Sequence, residues 1–109
     1  MKMEAYLNEV FHQQITVANA ATTIDCELGG YSRFSMIVPA ALNGLTATFQ
    51  VYDQVANAWI TTAQTQLLAT GYWVPSASQL AALCMLNKFR MSLSGPSVGA
   101  SVLQFIKKT

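Results

Sequence analysis

Few residues in this chain could do chemistry. His12 is the single histidine. Docked against Cys26, Cys84 or a serine and oriented by a third group, it could activate a nucleophile. No sequence signature assembles such a trio, and His12 sits in an irregular stretch between Phe11 and Gln13, so a surface or packing histidine is the plainer reading. Acid–base work needs converging carboxylates. Asp25 and Glu27 share a strand face, but that spacing is what any solvated strand produces, and Glu4, Glu9 and Asp53 show no partner. Cys26 and Cys84 lack metal-ligand spacing. In a reducing compartment they read as two buried thiols rather than a disulfide. The twin glycines of "LGGYSRFSMIVP", Leu28 to Pro39, lack the spacing and the lysine of a phosphate loop, and no helix follows them. They fit a corner that needs positive φ. No catalytic, cofactor-binding or metal-ligating residue is assigned, and the chain is expected not to be an enzyme.

The remaining candidates are surface residues. Trp59, Tyr72 and Trp73 raise a carbohydrate-binding option. Trp59 follows a hairpin loop and reads as core. Tyr72 and Trp73 are consecutive, so in a strand one of them must point outward. Arg33 and Arg90 lie on the outward faces of otherwise apolar strands, where arginine can serve an interface. With Tyr6 and Phe11 from the N-terminal stretch, the candidate interface set is Tyr6, Phe11, Arg33, Tyr72, Trp73 and Arg90.

The elements that must position these residues follow from period-2 patterning. "IDCEL", "RFSMIV", "TATFQVY", "KFRMSLS" and "ASVLQFIK" alternate apolar and polar residues, while "QQITV" and "AWITTA" add shorter strands and "TGYWV" a possible eighth. In "TATFQVY", Ala47, Phe49 and Val51 face in and Thr46, Thr48, Gln50 and Tyr52 face out. Turn chemistry separates the runs at "ANAATT", "LGGYS", "LNG", "DQVANA" and "SGPSVG". The expectation is an all-β, antiparallel β-sandwich or jelly roll of about eight strands. One short helix is expected near residues 78–84, capped by Ser76 or Ser78. Residues 1–14 read as an N-terminal arm or short amphipathic helix and 15–109 as the sandwich domain.

Hydrophobic residues make up 52% of the 109 and charged residues 10%. The charged share is far below the roughly 25% of an average soluble domain. Such a surface suits β structure and burial against partners. A net charge of +1 leaves no electrostatic footprint for nucleic acid. No run approaches the ~18 apolar residues of a membrane span, and the N-terminus lacks a signal peptide's continuous apolar core. Assembly in a cytoplasm is expected, with neither nucleic acid nor membrane as partner. Lys107 and Lys108 read as a basic tail end.

The ordered motifs from Ile15 to Ala63, closest over Leu28 to Trp59, resemble a small structural protein of tailed-phage virions. That type runs from an apolar strand through "LGGY", "IVPA", a glycine loop and "LTFQVS" to an Asp-Gly hairpin and a tryptophan. A "VP" segment with a helical turn, a strand like "KFRMSLSG" and a final apolar strand near a lysine follow. This chain departs at Tyr52–Asn57, where "YDQVAN" replaces the Asp-Gly turn. The resemblance implies a capsid decoration or cement protein on the outer capsid surface of the virion. It would bind the major capsid protein and its own copies, as a dimer or trimer, with no cofactor. The alternatives are a tail, baseplate or head-fibre component, or a carbohydrate-binding adhesion module.

Overall fold

The computed structural model describes residues 10–109. Eight strands form among them: β1 (Val10–Val17), β2 (Thr23–Glu27), β3 (Arg33–Val38), β4 (Thr46–Asp53), β5 (Ala58–Leu67), β6 (Gly71–Trp73), β7 (Lys88–Leu93) and β8 (Ser101–Lys108). A 3₁₀ turn covers Ala40–Leu42, and one helix, α1, covers Ala77–Leu83. The strands make two antiparallel sheets in the orders β1-β8-β3-β6 and β2-β7-β4-β5. The strands pair as if one long hairpin had been rolled up: β1 with β8, β2 with β7, β3 with β6 and, at its closed end, β4 with β5. That nesting, closed laterally by β8 against β3 and β7 against β4, is a jelly roll.

Alternation decides what fills the space between the sheets. Phe34, Met36 and Val38 of β3 face Phe49 and Ala47 of β4, Phe89 and Met91 of β7, and Leu103 and Phe105 of β8, all buried. Residues expected to point outward on β4 are at least partly exposed. Gly29 and Gly30 adopt φ of +59° and +91°, the left-handed corner that a side chain resists. Where the Asp-Gly turn is missing, Asp53 holds the hairpin instead. Its Oδ1 accepts from the Val55 and Ala56 amides at 2.9 and 3.3 Å. Asn57 takes the left-handed position at φ 52°, which asparagine tolerates.

Helix α1 is short and well started. Ser76 Oγ accepts from the Gln79 amide, and Gln79 Oε1 accepts from the Ser76 amide, a reciprocal capping box. Leu83 is buried in the core, and Gln79 donates to the Thr65 carbonyl and Gln66 Oε1 of β5. The helix thereby covers the side between the sheet edges β6 and β5.

Two boundaries differ from the sequence reading. Residues 10–14, grouped there with the arm, belong to β1, because β8 offers Val10 to Val17 an unbroken register ending at Lys108. β5 runs on to Leu67, past an irregularity between its pairings with Thr48 and Gln50. There the Thr62 hydroxyl donates to the Phe49 carbonyl at 2.9 Å and accepts from the Gln64 amide. Residues 1–9, including Tyr6, lie outside the described residues. Both cysteines are free, Cys26 buried and Cys84 half-buried.

Phe89 touches the rings of Phe34, Phe49 and Phe105 at centroid distances of 4.9, 5.8 and 5.9 Å. Truncating Phe89→Ala is expected to cost about 3–5 kcal/mol of unfolding free energy, read from urea denaturation followed by tryptophan fluorescence.

Candidate functional site

Each sheet has one face turned to solvent, and the two differ in chemistry. On the β2-β7-β4-β5 sheet, Asp25 stands opposite Arg90 and Tyr52 opposite Trp59. Arg90 Nε donates to Asp25 Oδ1 at 2.8 Å, and its guanidinium lies 4.1 Å from the Trp59 ring centroid. Lys88 Nζ lies 4.4 Å over Tyr52, which meets Trp59 edge to face at 5.1 Å. Cations on aromatic faces are worth roughly 0.5–1 kcal/mol each at exposed sites. This face thus occupies its cations and rings with one another. Trp59, read as core from its sequence context, is on this outer face and half-buried. The reason is register: residues directly opposite in an antiparallel pair share a face, and Tyr52 points out. Beyond Tyr52 a groove of about 430 Å³ runs between the hairpin and Met85–Lys88.

On the β1-β8-β3-β6 sheet the outer face is more apolar. Ile37 stands opposite both Tyr72 and Gln104. Val10, Ile37, Tyr72, Val74 and Val102 are all exposed, Tyr72 at 66% and Val74 at 60%. A shallow groove of about 260 Å³ crosses this face, lined by Val10, Arg33, Ser35, Tyr72, Val74, Leu80, Ile106 and Lys108. Arg33 Nη2 donates to the backbone oxygen of Thr109 at 2.9 Å, which aims the guanidinium along the groove's rim.

The candidate interface residues therefore separate. Arg33 and Tyr72 come together on this groove. Trp73, the inward member of its pair, packs on Phe49 and Phe34 at 5.9 and 6.0 Å. Arg90 is on the opposite sheet, paired with Asp25. Phe11 is at the end of the sandwich, 6.1 Å from Tyr31. Val74, Ile37 and Val102 belong to the apolar face although none was among the candidate interface residues. For Ile37 and Val102 the signal was present as alternation within β3 and β8, but only the two-sided pairing of β3 shows which neighbours join them.

Lys107 is the largest departure. Its parity on β8 matches Leu103 and Phe105, so it points inward and is 6% exposed. Nζ donates to Gln13 Oε1 at 3.0 Å and to the Glu27 carbonyl at 2.9 Å, and lies 4.9, 5.5 and 5.6 Å from the rings of Phe11, Phe105 and Tyr31. The ammonium bridges the two sheets at this end of the sandwich. Burial pushes its pKa below the ordinary value, opposed by the Glu27 carboxylate. Among the described residues no group of three His, Cys, Asp or Glu could hold a metal ion, and no helix is long and apolar enough to cross a membrane.

Fold and faces together define a jelly-roll domain in which one sheet face sets its cations over its own rings and the other is more apolar. Among solved structures it is similar to SPBc2 prophage-derived protein YomS, with a TM-score of 0.55 and 15% identity over 91% of this chain and 94% of that one. No known protein family and no curated protein matches the sequence.

Lys107 allows a pH test. With its pKa lowered in the fold, the folded chain binds fewer protons than the unfolded chain as pH approaches the ordinary value of 10.5. Stability from this group therefore rises with pH in that window. Cys26 acts in the opposite sense: burial pushes its thiol up, so above its ordinary value of 9.0 the unfolded chain loses the proton first and stability falls. Lys107→Met removes the first effect and leaves the burial that drives the second. It is expected to be less stable than the native chain by about 1–2 kcal/mol at neutral pH, from the lost charged hydrogen bonds. The gap should widen as pH rises toward 10.5, measured by urea unfolding at a series of alkaline pH values.

Proposed function

We propose that this chain is a bacteriophage structural protein that decorates the outside of an icosahedral head and stabilises the shell. The observation that carries the reading is the apolar outer face of the β1-β8-β3-β6 sheet, with Tyr72 and Val74 exposed beside Arg33. Exposed apolar surface rimmed by polar groups is what a protein-binding face needs. The phage assignment draws on the motif order from Leu28 to Trp59 and is in keeping with a fold shared with a prophage-derived protein.

The mechanism is burial rather than turnover. The apolar face covers surface on the major capsid protein, at roughly 25 cal/mol per Å² of apolar area removed from water. Arg33 and Lys108 supply directional hydrogen bonds at the rim. A shell presents many identical sites, so modest contacts accumulate when neighbouring copies also touch. The opposite face, where Arg90 pairs with Asp25 and Lys88 lies over Tyr52, remains toward solvent.

A second reading draws on the same Tyr72: an aromatic ring with both a flat face and a hydroxyl suits sugar binding in an adhesion module. A tail, baseplate or head-fibre location uses the same face against a different lattice.

The test mixes purified protein with undecorated heads and measures occupancy. Stoichiometric binding is expected. Tyr72→Ala and Arg33→Glu should each weaken it about tenfold or more, while Gln50→Ala, on the other sheet, should leave it unchanged. Absence of occupancy at any concentration would sink the decoration reading. Glycan retention abolished by Tyr72→Ala but kept by Arg33→Glu would move the assignment to adhesion.

A further inference from the structure

A jelly roll has four strand edges, and each is a potential template for another strand. Three are guarded here. β2 carries Asp25 and Glu27 within five residues. β6 is three residues long and is followed by Val74 and Pro75. β5 is interrupted by its bulge, and Gln79 of α1 donates to its Thr65 carbonyl.

β1 has none of these devices. Its eight residues, VFHQQITV, contain no Lys, Arg, Asp, Glu or Pro. It pairs with β8 over its whole length without a register shift or bulge. No strand among the described residues lies on its other side. Val10 and Phe11 are each 44% exposed.

We propose that β1 pairs antiparallel with β1 of a second copy of this chain, joining two four-stranded sheets into one of eight across a two-fold axis. The occupant follows from self-complementarity. Facing residues in an antiparallel pair share a side of the sheet, so core-facing Phe11, Gln13 and Ile15 must meet core-facing residues of the second copy. Centring the axis on Gln13 does this. Phe11 then faces Ile15 of the second copy twice over, an aromatic–β-branched pair of the kind that stabilises sheets. Outside, Val10 faces Thr16 and His12 faces Gln14. Centring on Gln14 also satisfies parity, but it sets polar Gln13 against Ile15 twice and pairs Phe11 with Val17, which is already buried in its own domain. The inference goes beyond the virion reading and does not depend on it, since the pairing needs no capsid.

Sedimentation equilibrium at roughly 100 μM, well above a micromolar dissociation constant, is expected to show a dimer. The double variant His12→Glu, Gln14→Glu sets like charges against each other twice and should weaken the dimer about tenfold or more. His12→Lys with Gln14→Glu instead sets opposite charges face to face in the Gln13-centred register, and should keep or tighten the dimer. In the unvaried protein, amide exchange over residues 10–16 should slow with rising concentration and speed up on dilution, a readout that needs no substitution. A monomer at this concentration, exchange that ignores concentration, or a dimer indifferent to the two glutamates overturns the proposal. Equal disruption by both double variants overturns the Gln13-centred register. Exposure of both side chains and retained thermal unfolding keep folding and pairing separate.

Discussion

Four phenylalanines hold the two sheets face to face, and the rest of the molecule is arranged around them. Phe34 and Phe105 come from one sheet, Phe49 and Phe89 from the other, and their centroids lie 4.9 to 5.9 Å apart in the pairs that cross or share a sheet. Aromatic pairs of this kind add about 0.5–1.5 kcal/mol each beyond the area they bury. Trp73 closes the cluster from the short edge strand β6. The cluster spans strands that are distant in sequence, so it can form only when the chain has rolled into its nested pairing. Met36, Leu103 and Met91 then fill the space along the axis.

Charge is distributed by the same constraint. The chain has six lysines and arginines, and those of the two sheets are used differently. Arg90 and Lys88 lie over the rings of one outer face, Lys107 is drawn inside at the end of the sandwich, and Arg33 is at the rim of the other face. A lysine is rarely buried without partners. Here two carbonyl-type acceptors and three aromatic faces provide them, at the place where the two sheets would otherwise part. The two outer faces are therefore unlike: one sets its cations over its own rings, and the other is more apolar.

Much of the fold was legible in the sequence. Alternation in "TATFQVY" and "KFRMSLS" sorts the residues of β4 and β7 correctly, and "PSASQLAAL" marks both the helix and its cap. The Gly29–Gly30 corner follows from glycine chemistry alone. The site was less legible. Trp59 could not be assigned to a face from its own strand, because "AWITTA" has no clear alternation and only its partner Tyr52 selects the phase. Lys107 shared the parity of the core residues before it, but a charged terminus reads as solvated unless acceptors are known to meet it. Arg33 and Arg90 look alike in sequence, and they differ because Asp25 lies opposite only one of them.

What the sequence by itself determined is local: which segments extend, where they turn, which side chains on each strand share a face, and that the surface is sparsely charged. These follow from backbone period and side-chain chemistry, which act over a few residues. Tertiary structure decided the rest. It chose a jelly roll among sandwiches, because strand order depends on pairings up to the length of the chain. It gathered Arg33, Tyr72 and Val74 on one groove, and it turned Lys107 inward. Among the described residues it also left β1 as the unguarded edge, since whether a strand is an edge is a property of its neighbours and not of its residues.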